Sequence, residues 1–128
     1  MAGTSQKYTN DHETSVEAGT WTDVLTLERI DTNQNAYVSG IACTLGFKGD
    51  VSNPIYLHVG HNATPADDDF IQSAVVLSGG KVWMPIKRRL NDNNPKLYVH
   101  AFQGSGATRD IMQFWTTYGK MLKITTYD

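Results

Sequence analysis

The histidines of two similar six-residue stretches are of a residue type that can bind a metal ion or another ligand. Residues 55–60 read IYLHVG and residues 97–102 read LYVHAF, so each stretch places Tyr and then His between aliphatic residues. In an extended strand His58 and His61 would point to opposite faces, whereas His58 and His100 would meet if their strands were neighbours. A zinc site needs three or four ligands, and two imidazoles alone do not make one. We therefore expect no metal site.

The other polar motifs also fall short of a catalytic or cofactor site. The carboxylates of residues 67–69 suit Ca²⁺, but they lack the spacing and the closing Glu of an EF-hand, so we expect a solvated acidic loop or a helix N-terminus. No serine occupies a G-x-S-x-G turn. Residues 104–106 are G-x-G without a third glycine, and residues 79–81 read GGK without a following Ser or Thr. The sequence predicts no enzyme, no catalytic residue and no cofactor.

The single cysteine, Cys43, cannot form a disulfide within the chain. It shares its parity along the chain with Ile41 and Leu45, which are apolar. Free cysteine is among the most buried residue types, and no neighbouring histidine in the sequence would activate it as a nucleophile. We expect a buried thiol in the hydrophobic core.

Length and composition indicate one folded domain. The chain has 128 residues, of which 40% are hydrophobic and 19% are charged, and this composition is typical of globular proteins. No apolar run approaches the roughly 18 residues that suggest a membrane span, and the polar N-terminus lacks the apolar core of a signal peptide. We expect residues 1–18 to form an extended N-terminal arm and residues 19–128 to form the domain.

The charge balance argues against a nucleic-acid coat with a basic arm. Eleven basic and 13 acidic side chains give a formal net charge of −2. Binding to phosphates depends on clustered Lys and Arg, and the only basic cluster is residues 87–89. We interpret that cluster as a solvated strand end and expect no contact with nucleic acid.

The dominant hydrophobic period is two, which is the period of half-buried strands. Turn residues separate the periodic stretches. Seven or eight short strands of this kind predict an all-β fold, either a β-sandwich or a barrel. The residues predicted to point inward are Tyr37, Ile41, Cys43, Leu45 and Phe47; Trp21, Leu25 and Leu27; Ile55, Leu57 and Val59; Ile71, Val75 and Leu77; Val82, Met84 and Ile86; Leu97, Val99 and Ala101; and Leu122 and Ile124.

Four local features add to this prediction. Pro85 has no backbone N–H, so its strand should lie at a sheet edge or be short. Small residues such as Gly40 oppose the inward row of residues 36–48 and suggest that something approaches closely there. Residues 107–118 have a helical stripe of apolar residues, but their aromatic residues and threonines favour a strand. A short helix near residues 65–71 is an alternative to a loop.

Several large side chains should point outward from the predicted strands, opposite the apolar inner row. A sandwich normally turns polar residues outward, and a contiguous exposed apolar patch usually marks an interface. Tyr and Trp also contribute much of the binding energy at protein interfaces. We therefore predict a contact surface formed by six residues: Tyr56, His58, Trp83, Tyr98, His100 and Phe102.

Three arrangements could cover these side chains. Loops or the N-terminal arm of the same chain could fold over them, or neighbouring subunits could pack against them. A sugar could instead stack on the aromatic rings in a shallow groove, as in a carbohydrate-binding module or lectin that uses Trp21, Trp83 or Trp115. If His58 and His100 lie at subunit contacts, assembly should weaken as the pH falls through about 6.5, where imidazole becomes charged.

The sequence resembles small β-sandwich virion proteins of bacteriophages and other viruses, including single jelly rolls. The resemblance rests on VWMPIKRRL, the polar loop after it, and KLYVHAFQGSGATRDI, within residues 20–127. It implies that the all-β fold is an antiparallel β-sandwich of jelly-roll type. It also implies a structural subunit of a symmetric virion assembly, as a capsid, decoration, vertex or tail component. It further implies a homo-oligomer that contacts other virion proteins, is made in a host cytoplasm without a signal peptide, and resides in the virion.

Overall fold

A computed structural model of the chain defines the fold. The structure describes residues 6–10, 16, 19–29, 33, 35–45, 54–66, 68–77, 80–103, 112–118 and 122–125; for 6–10, 45, 112–118 and 122–125 it describes the backbone alone. The predictions for Phe47, Asp67 and residues 104–106 lie outside the described residues. So do those for the side chains of Leu45, Trp115, Leu122 and Ile124.

Within these residues the chain forms nine strands in two antiparallel sheets. The prediction was seven or eight strands, and one of the nine lies inside the predicted arm of residues 1–18. Among the described residues there is no helix long and apolar enough to span a membrane. The strands are β1 (Gln6–Asn10), β2 (Thr22–Arg29), β3 (Ala36–Leu45), β4 (Ile55–Gly60), β5 (Gln72–Val76), β6 (Lys81–Leu90), β7 (Lys96–Gln103), β8 (Met112–Tyr118) and β9 (Leu122–Thr125).

The strand order is that of a jelly roll. One sheet has the order β1-β8-β3-β6 and the other β5-β4-β7-β2-β9. The antiparallel pairs β1–β8, β2–β7, β3–β6 and β4–β5 match the first strand with the eighth, the second with the seventh, and so on inward. The chain is thus one long hairpin rolled over itself into two sheets, with β9 added beside β2. This confirms the predicted all-β antiparallel sandwich of jelly-roll type.

Alternate residues of the central strands β4 and β7 fill the core between the sheets. The predicted inner rows are confirmed in both strands, because these side chains are at most 1% exposed. Cys43 also lies fully buried in the core, as predicted. Burying an aliphatic side chain of this size stabilises a fold by about 1.5–3 kcal/mol. The inner rows are Ile55, Leu57 and Val59 in β4 and Leu97, Val99 and Ala101 in β7.

Two inward predictions are wrong because β-bulges interrupt the alternation. The register of β2 shifts between Asp23 and Leu25, so Trp21 is 41% exposed although Leu25 is buried. The register of β3 shifts between Val38 and Gly40, which turns Tyr37 outward at 40% exposure and leaves Val38 buried. Each extra residue moves the preceding side chains to the opposite face.

The inward assignment for β5 is also wrong in part. Val75 and Leu77 are 53% and 58% exposed, whereas Val76 is buried and Ala74 packs against the core. The partner strand β4 sets this choice, because Ala74 and Val76 lie opposite its inward residues. Ile71 packs against the core, as predicted.

Three further predictions concerned Pro85, residues 107–118 and residues 65–71. Pro85 lies in β6, an edge strand of the four-stranded sheet, as predicted. The strand predicted within residues 107–118 is present as β8 over 112–118. The described part of residues 65–71 forms bends and a turn, so the alternative of a helix there is wrong.

A buried glutamine at the end of β7 fixes the segment that precedes β2. Gln103 is fully buried, and its side-chain amide donates a hydrogen bond to the backbone oxygen of Val16, which is itself buried in the core. The backbone N–H of Gly19 donates to the backbone oxygen of Gln103 at 2.9 Å. A buried carbonyl that loses its donor costs about 1–3 kcal/mol. Gln103 therefore attaches Val16 and Gly19 to the sandwich.

Replacing Gln103 by leucine should lower the free energy of unfolding by about 1–3 kcal/mol, because Val16 loses the donor for its buried backbone oxygen. Amide hydrogen exchange should quicken first around residues 16–19, and urea unfolding measures the total loss. The matched control is Gln72→Leu, since the Gln72 side chain makes more exposed hydrogen bonds. Equal losses in the two variants would contradict the anchoring role.

Candidate interaction surface

The outer face of the five-stranded sheet collects most of the predicted contact residues. The antiparallel register places His58 opposite His100 and Tyr56 opposite Phe102. Tyr56 also lies opposite Val75 on its other side. The strands of the two histidines are therefore neighbours, which is the condition under which they were expected to meet, and the Tyr–His echo in the sequence corresponds to two adjacent rows on one sheet face.

Aromatic rings lie around His58 and Phe102 on this sheet face. Trp21 and Phe102 have ring centroids 5.3 Å apart, and Trp21 contacts His58 edge-on at 6.0 Å. On the far side His58 lies 6.0 Å from Phe70. Tyr56 and Phe70 are 45% and 55% exposed, and Phe102 is half-buried. We refer to Trp21, Tyr56, Phe70 and Phe102 as the aromatic face.

His100 was expected to be exposed on the outer face of its strand, but the residue is only 3% exposed. Its Nε2 lies 3.0 Å from the backbone oxygen of Ala63, in the loop that follows β4. The ring of Tyr98, which is half-buried, stacks near it at 6.0 Å. The loop of the same chain therefore covers this part of the face, and a role for His100 in subunit contacts stays a prediction.

Three histidines hold that loop by hydrogen bonds to backbone oxygens. His58 Nε2 lies 3.3 Å from the oxygen of Ala66, and His61 Nδ1 lies 2.8 Å from the oxygen of Lys96. Together with the bond from His100, these contacts attach both ends of residues 61–66 to the sheet. We call His58, His61 and His100 the histidine clamp.

Asp69 closes the loop from its other end. Its carboxylate accepts hydrogen bonds from the backbone N–H of His61 at 2.9 Å and of Asn62 at 2.7 Å. A Cβ atom added to Gly60 would collide with the carboxylate and the backbone oxygen of Asp69, so this close approach requires glycine. Of the predicted acidic loop, Asp69 thus has a structural role. No group of three His, Cys, Asp or Glu side chains placed to hold a metal occurs in the described ranges.

Burial shifts the pKa of three groups, which lie near the aromatic face or in the core. It lowers the pKa of His100, while the bond to the Ala63 oxygen acts in the opposite direction and His58 adds to the lowering. Burial raises the pKa of Asp23, which lies opposite His100 in register. Burial also raises the pKa of the Cys43 thiol, which disfavours the reactive thiolate.

Trp83 lies on the other sheet, away from the remaining five predicted contact residues. It is 53% exposed on β6, so its predicted outward direction is confirmed. Its indole lies against Gly40 of the neighbouring strand, where an added Cβ would collide with the ring. This contact accounts for the glycine at position 40. The predicted surface is therefore two surfaces, one on each sheet.

Sequence reasoning missed part of the aromatic face. Trp21 was assigned inward because the bulge in β2 leaves no mark in the hydrophobic pattern. Phe70 follows the acidic residues 67–69 and belongs to no alternating stretch, so no periodic signal was available for it. Exposed Phe and Trp beside an identified outward Tyr are the residues that a search for apolar patches would have added.

No family model and no curated protein matches the sequence. Among solved structures, the chain is similar to a protein of Bacillus endospore appendages, described as forming a novel family of disulfide-linked pili. The TM-score is 0.55 at 11% identity, over 93% of this chain and 90% of that one. A chain of Turnip Yellow Mosaic Virus gives a TM-score of 0.42 at 14% identity, over 98% and 97%. A chain of the infectious bursal disease virus Gt strain gives 0.39 at 11% identity, over 94% of this chain and 38% of that one. At such identities the likeness concerns the fold alone.

Proposed function

We propose that the protein is a structural subunit of a symmetric virion assembly, as a capsid, decoration, vertex or tail component. It acts by packing against copies of itself and against other virion proteins. The observation that carries the proposal is the aromatic face, on which Trp21, Tyr56 and Phe70 are each more than 40% exposed around His58 and Phe102. Adjacent rings of this size on a rigid sheet are typical of protein interfaces.

The other described features agree with a role in packing. The aromatic face continues onto exposed Val75 and Leu77, so the apolar surface is larger than the rings alone. The fold is similar to that of the appendage protein, which is described as forming pili, and this likeness supports a role as a subunit of an ordered assembly. The disulfide links ascribed to those pili have no counterpart within these 128 residues, because the single cysteine is buried. The proposed contacts are therefore non-covalent.

A sugar ligand is the second candidate, and one observation favours it. Trp21 is 41% exposed and lies on the same face as the carboxylate of Asp23, which is opposite His100 in register. An indole beside hydrogen-bonding groups is the usual composition of a sugar-binding groove. A monomer whose Trp fluorescence is quenched by glycans would support this function in place of assembly.

The replacement Tyr56→Ser should weaken self-association about 10- to 30-fold, since a central interface ring contributes about 1.4–2 kcal/mol. Light scattering and native mass spectrometry over a concentration series measure the association constant. The wild-type protein should exceed its chain mass of 14.2 kDa and grow with concentration.

The matched control is Tyr37→Ser, which removes the same ring at 40% exposure from the opposite sheet. Its association should change by no more than about twofold, as for an exposed position outside the interface. A wild-type protein that stays at 14.2 kDa at every concentration would overturn the proposed function. Equal effects of the two Tyr replacements would show that the aromatic face is not the contact surface.

A further inference from the structure

The edge strands β5 and β6 differ in their protection against pairing with another chain. On β6, Pro85 lacks a backbone donor, and Lys81 and residues 87–89 expose basic side chains. Lys87 adopts a left-handed φ of 53° at a bulge, where the register shifts between Val38 and Gly40. Proline, lysine and bulges are the usual means by which a protein prevents pairing at a sheet edge. The β6 edge is blocked by all three.

The β5 edge has none of these protections. Residues 70–77 read FIQSAVVL, without a charge or a proline. The strand is hydrogen-bonded to β4 on one side and is the outermost strand of its sheet. Its outward residues Ser73, Val75 and Leu77 are exposed. An uncharged, apolar edge strand is a template for another strand, since its outward N–H and C=O groups have no partner in the sheet.

We propose that β5 pairs antiparallel with β5 of a second copy around a two-fold axis near Val75. This pairing joins the two five-stranded sheets into one continuous sheet. The inference rests on the proposed function and specifies one contact of the assembly. A two-fold axis is the natural operator, because an antiparallel strand is its own complement and brings no like charges together here. The cations of β6 would repel their own copies in the same arrangement.

The outward and inward residues of β5 fix the register. An axis at Val75 sets Val75 opposite its own copy, Ser73 opposite Leu77, and Ala74 opposite Val76. β-branched and apolar cross-strand pairs of this kind stabilise a sheet. An axis one residue earlier would set Gln72 against Val76, but the Gln72 amide already donates to the Pro85 oxygen at 3.2 Å and accepts from Ser73 N–H. The axis at Val75 leaves the Gln72 bond to the Pro85 oxygen outside the paired segment, whereas the Ser73 N–H would exchange its bond to Gln72 for one to the second copy.

The proposed pairing also extends the aromatic face across the axis. Val75 lies opposite Tyr56 within the sheet, and Tyr56 lies opposite Phe102. Two copies joined at β5 therefore place their aromatic faces on one side of a single sheet. A third subunit would then meet a surface twice as wide as that of one chain.

Cysteine cross-linking tests the register directly. In Val75→Cys the two introduced cysteines would face each other, with Cα atoms about 4.5–5.5 Å apart, a separation that a disulfide spans. Mild oxidation should give a covalent dimer in most of this variant. Ser73→Cys is the matched control, since position 73 faces Leu77 and should give little dimer. Buried Cys43 should stay reduced in both variants.

Charge replacement tests the same contact without a covalent bond. Val75 is 53% exposed, so neither Val75→Lys nor Val75→Glu should impair folding, which circular dichroism checks. Each variant alone should associate at least tenfold more weakly than the wild-type protein, and an equimolar mixture should recover the loss.

The outcomes separate this inference from the proposed function. Wild-type association that survives both charged variants, or equal cross-linking at positions 73 and 75, would overturn the β5 pairing and leave the assembly role standing. A wild-type protein that is monomeric throughout would overturn both.

Discussion

Replacement of Asp69 by alanine should lower the free energy of unfolding by about 2–4 kcal/mol. The carboxylate accepts the backbone N–H groups of His61 and Asn62 at 2.9 and 2.7 Å, and no other described side chain accepts from them. A hydrogen bond to a charged group contributes about 1.5–3 kcal/mol, and the partial exposure of this site reduces the sum. The loop would also lose the position at which His58 and His100 meet its backbone oxygens.

Urea unfolding followed by tryptophan fluorescence measures this loss, because Trp21 lies beside the clamp residue His58. Asp69→Asn, which keeps one acceptor oxygen, should lose less than Asp69→Ala. Gly60→Ala should also lower the free energy of unfolding, since its methyl group would displace the Asp69 carboxylate.

Asp68→Ala is the matched control for this loop. It removes a neighbouring exposed carboxylate and should change stability by no more than about 0.5 kcal/mol. If Asp68→Ala and Asp69→Ala lowered the free energy of unfolding equally, the loss would come from removing a negative charge rather than from the two hydrogen bonds to backbone N–H groups.

The sequence predicted the central strands and their inner rows because nothing interrupts their alternation. Strands β4 and β7 pair without a register shift, so the pattern of IYLHVG and LYVHAF maps directly onto the two sheet faces. Pro85 marked an edge strand for an equally local reason, the missing backbone donor. The number and spacing of such strands predicted a sandwich or a barrel, and the resemblance to small virion proteins favoured the jelly roll.

The rest depended on contacts that no local pattern encodes. Trp21 and Tyr37 face outward because a bulge adds one residue to each strand, which the hydrophobic period cannot show. In β5 the run AVVL has no alternation, and the partner strand alone decides that Val75 faces outward. His100 has outward parity but is buried, because a loop 37 residues away in sequence folds over it.

The stability of the protein should fall as the pH drops below about 6.5, and His100 should account for the first part of the loss. Burial lowers the pKa of His100 in the folded chain, so the unfolded chain binds this proton first. The stabilisation is complete above the ordinary histidine pKa of 6.5 and is lost as the pH falls from there through the lowered value. His58 opposes the added charge and Asp69 favours it, with His58 the larger influence.

The geometry explains why the proton is costly. The Nε2 atoms of both His100 and His58 lie at backbone oxygens of the loop, while the Nδ1 atoms are buried without a hydrogen-bond partner. A proton added at Nδ1 of His100 would therefore be buried without an acceptor, and His58 lies opposite it in the sheet register. Asp23 has the opposite effect at lower pH, because its raised pKa adds stability as the pH falls towards 3.8.

Urea unfolding at pH 7.5, 6.5, 5.5 and 4.5 tests this expectation, and His100→Phe is the decisive comparison. Phenylalanine keeps a ring in the buried site and cannot titrate, so the variant should be less stable at pH 7.5 but should lose less stability between pH 6.5 and 5.5. Equal slopes in the two proteins would assign the pH dependence to other groups. Self-association measured over the same range should weaken with the loop, since the aromatic face includes Phe70 beside the clamp residue His58. In that case His100 would act on assembly indirectly, by holding the loop of residues 61–66 beside the proposed contact surface.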